Sequence, residues 1–234
     1  MKRFSRLFDP LAYLPRRPIA EHPKGAVIYS STCEVFYLVI RGRIKITNLA
    51  LAGSEVISRI VAPEEFFGEC SLIDDSSAQR AVALEKVQIM GWHRAELEQQ
   101  IERQPLLGVA LMQHVILTNL EMEDRLVAMA TCKTPQRIML SLLQLARQLG
   151  EQHDAALRIS SLTHTIIAEY TGTSREIVST VMNRLRRMSL ISYSRKYIEV
   201  NCEAVEESLR SDRIVGGHLM AQAVRPTLDR PMSA

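Results

Sequence analysis

The chain has 234 residues, 47% of them apolar and 5% aromatic, and a formal net charge of +3. This length favours two compact units over one. Because the net charge is modest, any binding of a polyanion must depend on where the charges lie along the chain. The four cysteines are too far apart for a CxxC pair, and no apolar stretch has the length of a membrane span. We therefore predict a cytoplasmic protein with reduced cysteines and no membrane partner.

Residues 1–24 form a basic N-terminal arm, which four prolines interrupt and which lacks the apolar core of a signal peptide. From residue 25 to 105, short β-branched or aromatic runs alternate with turn residues, as is typical of strands. Glycines stand at the joints, where positive φ or a tight bend costs least. The pattern predicts a small β barrel or jelly roll with strands in AVIY, VFYLVI, RIKITN, EVISRIVA, EFFG, AVAL and VQIMGW.

Residues 106–134 are predicted to be a dimerisation helix and hinge. Apolar residues recur at three- and four-residue steps from about Leu106 to Ala130, which indicates one long helix. They lie nearly all round it, so the helix must be covered on more than one side. Pairing with the same helix of a second copy meets this need and predicts a homodimer. The alternative is a helix buried within one large domain.

A second unit is predicted over residues 135–210. It opens with a helical block closed by Gly150, followed by a short strand, two helices and a hairpin from Leu190 to Val200. Residues 211–234, with two adjacent glycines and late prolines, are predicted to be a disordered tail.

The stretch TGTSREIVSTVMNRLRRM, residues 171–188, predicts an amphipathic helix. A shorter helix over 162–172 and a glycine turn precede it, which gives a helix-turn-helix whose second helix enters a major groove. Residues 173–197 contain six Lys/Arg and one acid, the local excess that a phosphate backbone requires. One arc of the helix is polar (Arg175, Glu176, Ser179, Thr180, Asn183, Arg186, Arg187), and the opposite arc is apolar (Ile177, Val178, Val181, Met182, Leu185, Met188), with Arg184 at the edge.

Arg175 and Glu176 suit base recognition. Arginine can donate two hydrogen bonds to O6 and N7 of guanine, and glutamate can accept one from the N4 amino group of cytosine. In the alternative interpretation, Thr173 caps the helix and Glu176 completes a capping box, while Arg175 merely faces water.

Two regions of the chain resemble the Crp/Fnr transcription regulators, from residue 25 to about 205. TGTSREIVSTVMNRLRRMSLIS and the following YSRKYIEV hairpin resemble that family's DNA-binding domain. Gly42 in VIRGRIKI, Gly53 and Glu55 in AGSEVI, and FFGECSLI at 66–73 resemble its effector domain. The resemblance implies an α+β fold with an N-terminal cyclic-nucleotide-binding-type β barrel (jelly roll), a long dimerisation helix and a C-terminal winged helix-turn-helix.

The resemblance also implies a transcription regulator that binds double-stranded DNA as a dimer, at a palindromic operator with TGTGA-like half-sites, and that contacts RNA polymerase if it is an activator. Thr180 stands where catabolite-activator-like members often carry a second base-reading arginine, so we expect altered specificity at the base pair it faces. The implied roles are base reading by Arg175 and Glu176, phosphate contacts by Thr163 and Ser174, and support of the wing by Arg195 and Lys196; Ser179, Thr180 and Asn183 complete the predicted DNA-binding set.

An effector site is implied by a phosphate cassette like that of cyclic-nucleotide-binding members. Gly68 lets the backbone approach, Glu69 accepts from a ribose hydroxyl and Arg80 pairs with the cyclic phosphate. The remaining candidates are Cys70 and Ala81 of the cassette, and Met122 and Glu123, which stand where those members hold adenine with a Thr-Ser pair.

Several residues depart from that pattern. Ala81 replaces a serine that contacts phosphate, and Asp74 and Asp75 would repel an anion if they point inward. Two interpretations therefore stay open: control by cyclic AMP or cyclic GMP, or an unliganded barrel in which Glu69 and Arg80 form an internal ion pair.

Other classes of protein find little support. No cysteine precedes Cys33 to hold an iron–sulfur cluster, and His93 and His114 are scattered rather than placed as haem ligands, so we predict no metal. The chain has no nucleophile motif and no Walker loop, which argues against an enzyme. A cyclic-nucleotide-binding module that regulates a protein partner is the alternative from a different class.

Overall fold

The computed structural model describes residues 7–49, 55–73, 79–160 and 162–211. Gly53, the Asp74-Asp75 pair and residues 212–234 of the predicted tail lie outside these ranges. The chain divides into two compact units, residues 1–122 and 123–234. Among the described residues, no helix is both long and apolar enough to cross a lipid bilayer.

The first unit contains two antiparallel sheets, with strand orders β1-β8-β3-β6 and β2-β7-β4-β5. Strands β2 to β8 correspond to the seven predicted runs. Strand β1 was not predicted, because Ala-Glu-His carries no β-branched or aromatic residue; it is held by pairing with β8, where Ala20 lies opposite Ile89. The strands are β1 (Ala20–His22), β2 (Val27–Ser30), β3 (Val35–Arg41), β4 (Ile44–Leu49), β5 (Glu55–Val61), β6 (Phe66–Phe67), β7 (Gln79–Ala83) and β8 (Val87–His93).

The two sheets share one apolar core. Val39 and Phe67 from one sheet pack in the same cluster as Ile44, Val61 and Ala81 from the other. Stacked sheets with a common core form a jelly-roll-like sandwich rather than a closed barrel. The predicted jelly roll is confirmed.

The N-terminal arm contacts this unit through Tyr13, Leu14 and Pro15. The buried indole of Trp92 donates a hydrogen bond to the carbonyl of Pro15 at 2.8 Å, and Gln100 donates one to the carbonyl of Tyr13 at 2.6 Å. Leu14 lies in the same apolar cluster as Trp92 and Phe36.

Two helices follow the sandwich, α1 (Arg94–Arg103) and α2 (Leu106–Thr131). Helix α2 confirms the predicted long helix, and the division between the two units falls within it. Its first turns bury Leu107, Ala110 and Leu111. Farther along, exposed residues recur at alternating three- and four-residue steps: Met112, Val115, Asn119, Met122, Leu126 and Met129. Leu126 is 66% exposed, so the alternative of a helix buried within one large domain is wrong.

The second unit combines helices with a small antiparallel sheet of order β11-β12-β10-β9. Gly150 follows α3 as predicted, but its φ of −83° is ordinary; the position excludes a side chain because a Cβ there would collide with the carbonyl of Ala146. The elements are α3 (Thr134–Leu149), β9 (Glu151–His153), β10 (Ala156–Ser160), α4 (His164–Thr171), α5 (Arg175–Arg187), β11 (Ile191–Tyr193), β12 (Tyr197–Val200) and α6 (Cys202–Ser211).

Helix α6 was not predicted, although its sequence carries a start signal. The side chain of Asn201 accepts a hydrogen bond from the backbone N–H of Ala204 at 3.1 Å, as a capping residue does. Val205 and Leu209 are spaced one turn apart and are fully buried. Other buried apolar residues of the second unit include Ile138, Leu142, Ile167, Val178, Met182 and Ile198.

Candidate functional site

Helices α4 and α5 form the predicted helix-turn-helix. Thr163 caps α4 by accepting a hydrogen bond from the N–H of Ile166 at 3.2 Å. Gly172 ends α4 with a φ of 64°, in the left-handed region where glycine is least strained. Ser174 then caps α5, accepting from the N–H of Ile177 at 3.4 Å.

The cap at Ser174 corrects one sequence-based alternative. Thr173 does not cap α5, and Glu176 is only the second residue of the helix, one short of the position that a capping box requires. The Thr173–Glu176 capping box is therefore wrong. The threonine and serine are adjacent, and the pattern of the sequence alone could not decide which one begins the helix.

The two faces of α5 separate largely as predicted. Val178, Val181, Met182 and Leu185 are buried, whereas the polar residues of the opposite arc are exposed apart from the half-buried Ser179. Ile177 and Met188 were assigned to the buried arc but are 44% and 49% exposed. At 100° per residue they fall beside Arg184, on a margin that the four buried residues do not include.

Arg175 and Glu176 lie exposed at the start of α5. Neither side chain forms an ion pair with another described residue. The pKa of Glu176 is lowered by hydrogen bonds from its own backbone amide and from the Ser174 hydroxyl. The first turn of α5 therefore presents a guanidinium donor and an ionised carboxylate acceptor side by side.

The hydroxyl groups of the second turn are engaged within the protein. Thr180 donates to the carbonyl of Glu176 at 3.0 Å, and Ser179 donates to the carbonyl of Arg175 at 2.9 Å. Ser179 Oγ also lies 3.0 Å from Nδ1 of His164. Burial, and then the charge of Arg175, lowers the pKa of His164, so its imidazole is neutral near pH 7. The Ser179 hydroxyl thus ties α4 to α5.

Strands β11 and β12 form the hairpin that the sequence predicted as a wing. Its turn is closed by a hydrogen bond from the N–H of Ser194 to the carbonyl of Tyr197 at 2.9 Å. Arg195 and Lys196 stand exposed at this turn. All six basic side chains counted between residues 173 and 197 are exposed, so their charges are available to a polyanion.

In the first unit, the predicted effector site begins at Gly68. Its φ of 86° is left-handed, and a Cβ there would lie 2.6 Å from the carbonyl of Val35. Glu69 starts a 3-10 turn, Glu69–Leu72, in which Cys70 is half-buried. Only glycine lets the chain make this close approach.

Glu69 faces partners that the sequence analysis did not identify. Its Oε1 accepts a hydrogen bond from Nη1 of Arg59 at 2.8 Å and lies 2.9 Å from Nε2 of His114. Burial would raise the pKa of Glu69, but the charge of Arg59 and the hydrogen bond from His114 outweigh it and lower the pKa to about 2. Arg59 also donates to Thr118 Oγ1 at 3.2 Å and to the carbonyl of Phe66.

Arg80 lies elsewhere and does not pair with Glu69. Its side chain is 44% exposed, and its Nη1 donates to Oε1 of Glu55 at 3.1 Å. Ala81, the next residue of β7, points to the opposite face and is fully buried. The predicted Glu69–Arg80 ion pair is therefore wrong. Met122 and Glu123 are exposed on α2.

The residues that hold Glu69 carry no shared signal in the sequence. Arg59 lies in β5 and His114 in α2, 55 residues apart, so only the fold brings them together. The four cysteines are free thiols, of which only Cys132 is fully buried. Within the described ranges, no three His, Cys, Asp or Glu side chains are arranged to hold a metal ion.

Two family models match the chain. The cyclic nucleotide-binding domain matches residues 20–104, and the Crp-like helix-turn-helix domain matches residues 136–207. The chain belongs to the Crp/Fnr family of transcription regulators. The helix-turn-helix of this Crp/Fnr regulator argues against the alternative of a nucleotide-binding module that acts only on a protein partner.

The curated relatives that this Crp/Fnr regulator matches include proteins named as regulators and as a cyclic AMP receptor. A CRP-like cAMP-activated global transcriptional regulator from Mycobacterium tuberculosis is 28% identical over 68% of this chain and 73% of its own length. A cyclic AMP receptor protein from Thermus thermophilus is 28% identical over 85% of this chain and 89% of its own. A global nitrogen regulator from Synechocystis is 27% identical over 72% of this chain and 76% of its own length. Because these names differ in the signal they mention, membership of the family does not fix the effector.

Solved structures share the fold of this Crp/Fnr regulator. A CRP/FNR-family transcriptional regulator from Thermus thermophilus matches with a TM-score of 0.69 at 23% identity, covering 82% of this chain and 98% of that one. FixK2 from Bradyrhizobium japonicum matches with a TM-score of 0.72 at 19% identity, covering 81% and 96%.

Proposed function

We propose that this Crp/Fnr regulator binds, as a homodimer, a palindromic operator with TGTGA-like half-sites. The observation that supports the proposal most is the exposure of Arg175 and Glu176 at the N-terminus of α5, where neither forms an ion pair with another described residue. Residues in the first turn of a recognition helix contact base edges, and these two side chains match guanine and cytosine. Thr163, Ser174, Arg195 and Lys196 are all exposed and suit contacts to the flanking backbone.

The homodimer is supported by the exposed stripe of α2. Residues at alternating three- and four-residue steps form the seam of a two-stranded coiled coil, and Met112, Val115, Met122 and Leu126 are apolar at those steps. Asn119 is a polar residue in the same seam, and a polar seam residue selects one register of two paired helices. A second copy would cover apolar surface that water otherwise contacts.

For the effector, the geometry favours a regulator that acts without a cyclic nucleotide. The carboxylate of Glu69 already binds Arg59 and His114, Arg80 pairs with Glu55, and the buried Ala81 has no side-chain donor for a phosphate. These residues do not fit a cyclic nucleotide. If the protein activates transcription, we propose that it also contacts RNA polymerase.

Fluorescence anisotropy with two labelled duplexes tests operator recognition. One duplex carries TGTGA as an inverted repeat, and the other has the same composition with scrambled half-sites. We expect tighter binding to the repeat, loss of that preference in Arg175→Ala, and an equal weakening on both duplexes in Arg184→Ala, which removes the same charge from the margin of α5. Unchanged preference in Arg175→Ala would contradict the proposal.

Two further measurements test assembly and control. We expect light scattering to give the mass of a dimer, and Leu126→Glu to shift it toward a monomer. Calorimetric titration with cyclic AMP and cyclic GMP, with Arg80→Leu as a control, is expected to show no specific binding. Saturable heat that Arg80→Leu abolishes would restore the nucleotide-controlled alternative.

A further inference from the structure

The carboxamide of Asn183, on the exposed face of α5, has a fixed orientation. Nη2 of Arg186 lies 3.3 Å from its Oδ1, and a guanidinium can only donate hydrogen bonds. The amide atom facing Arg186 must therefore be the oxygen. The hydroxyl of Tyr193 donates to the same oxygen at 3.0 Å.

This arrangement leaves the amino group of Asn183 without a partner among the described residues. The oxygen accepts two hydrogen bonds, while the two N–H donors of the exposed side chain face away from Tyr193 and Arg186. In effect, Asn183 presents only donors.

Tyr193 is held in place from three elements. It belongs to β11, and its ring meets the edge of the His164 ring of α4 with centroids 5.5 Å apart. The guanidinium of Arg186 lies 5.2 Å over the same ring. His164 is in turn anchored on Ser179. The orientation of Asn183 is thus set by contacts that exist before any DNA binds.

We infer that Tyr193 is a positioning residue, which fixes Asn183 so that its amino group donates a hydrogen bond to duplex DNA. The inference rests on the proposed binding of α5 to DNA. The partner is an acceptor atom on the duplex, which both phosphates and base edges supply. Asn183 lies eight residues beyond Arg175, about 12 Å along the helix at 1.5 Å per residue, so a backbone phosphate is the source that we expect.

A neutral donor has a distinct signature in binding measurements. Loss of a lysine or arginine contact to phosphate reduces the dependence of affinity on salt, because fewer counterions are released on binding. Loss of the Asn183 contact should lower affinity and leave the slope against salt unchanged. An equal loss on operator and scrambled duplexes identifies a phosphate, and a loss on the operator alone identifies a base edge; either result supports the inference.

The test uses fluorescence anisotropy with the TGTGA inverted-repeat duplex and its scrambled counterpart, at several salt concentrations. We expect Asn183→Ala to weaken binding about three- to tenfold, the scale of one hydrogen bond. Tyr193→Phe, which keeps the ring, should weaken binding to a similar or smaller extent, and should add nothing in the Asn183→Ala background because it acts through Asn183. Asn183→Asp keeps the shape but replaces the amino group by a charged acceptor, and should weaken binding more than Asn183→Ala.

Three outcomes would overturn the inference: wild-type affinity of Asn183→Ala for both duplexes, wild-type affinity of Tyr193→Phe for both duplexes, or full additivity of Asn183→Ala and Tyr193→Phe. Thermal unfolding checks that each variant is folded. Arg175→Ala distinguishes a failure of this inference from a failure of the proposed operator recognition on which it rests. If Arg175→Ala loses the operator preference while Asn183→Ala binds normally, only the role of Asn183 fails; if Arg175→Ala keeps the preference, the proposed recognition of the operator fails.

Discussion

An arginine and a glutamate occur together in each unit, under opposite conditions. Arg59 and Glu69 are largely buried, joined at 2.8 Å, and supported by His114. Arg175 and Glu176 are adjacent in sequence and exposed, and neither forms an ion pair with another described residue. In the first pair the charge of Glu69 is balanced within the protein by Arg59, although Nε of Arg59 is buried without a hydrogen-bond partner among the described residues. The exposed pair forms no ion pair with another described residue, so its charged groups are accessible to a partner outside the chain.

Solvent explains why the two pairs serve different ends. A buried charge that loses its partner cannot be rehydrated, so breaking such a pair is costly. Exposed charges are hydrated, and substitution there has little effect on folding. The same two side chains therefore stabilise the structure in one place and are available for recognition in the other.

The largest expected effect comes from breaking the buried pair. Arg59→Met should lower the free energy of unfolding by about 3–5 kcal/mol, because it leaves Glu69 buried without its main counter-charge. Arg80→Met removes an arginine from a more exposed ion pair and should cost no more than about 1 kcal/mol. Urea unfolding followed by the fluorescence of Trp92, the single tryptophan, reports on the first unit. Equal losses in the two variants would refute the distinction between buried and exposed pairs.

The second-largest effect on the free energy of unfolding is expected from the titration of Glu69 in acid. Its pKa is about 2 in the folded protein against an ordinary value of 4.5. Between these pH values the unfolded chain takes up a proton that the folded chain does not, so stability falls as pH falls. The stability difference between wild type and Glu69→Gln should therefore narrow over this window, by at most about 3 kcal/mol.

Glu176→Gln is the matched control for that titration, since its carboxylate is exposed and lies in the second unit. In Glu176→Gln, the unfolding transition followed by Trp92 fluorescence should depend on pH as it does in the wild type. If the Glu69→Gln difference stays constant from pH 5 to pH 2, the ion pair with Arg59 does not control the titration of Glu69.

A smaller effect is expected from adding a third recognition group to the exposed pair. Thr180→Arg supplies a guanidinium that can donate twice to a guanine, worth about 1–3 kcal/mol of discrimination at one base pair. Selection from duplexes randomised at each half-site position should then enrich guanine at one new position. Thr180→Val removes only the hydroxyl bonded to the carbonyl of Glu176 and should leave the selected sequence unchanged. Enrichment identical for arginine and valine would show that residue 180 does not face the bases.

The smallest expected effect concerns the cap of α5, which immediately precedes Arg175 and Glu176 in the chain. Ser174→Ala removes the acceptor for the N–H of Ile177 and should destabilise the second unit by about 1 kcal/mol. Thr173→Ala should cost less than about 0.5 kcal/mol, as surface substitutions away from such features do. Hydrogen exchange in the first turn of α5 measures the difference. Faster amide hydrogen exchange in Thr173→Ala than in Ser174→Ala would show that Thr173, rather than Ser174, caps the helix.

The recognition helix was predictable because its signal is local. Periodicity alone separated the buried Val178 and Leu185 from the exposed Arg175, and Gly172 marked the turn before them. Errors arose where one residue decided the outcome: Ser174 rather than Thr173 caps the helix, and Ile177 lies just outside the buried arc. Short elements such as β1 escaped detection because pairing with β8, rather than propensity, stabilises them.

The environment of Glu69 was not predictable, since it depends on contacts between distant parts of the chain. Alternation along β7 indicated that Arg80 and Ala81 point to opposite faces, but not which face Glu69 occupies. Arg59 stood within an apolar strand, and a charged residue there was a local sign of a buried partner. Nothing in the sequence pointed from Arg59 to His114.

The packed N-terminal arm has a practical consequence for dissecting this protein. A fragment trimmed to residue 20, where the matched nucleotide-binding domain begins, would lose the carbonyl of Pro15 that the buried indole of Trp92 requires. It would also uncover the apolar surface beneath Leu14. Fragments of the first unit should therefore begin before Tyr13, or poor expression and aggregation will be mistaken for an inherent inability of this unit to fold alone.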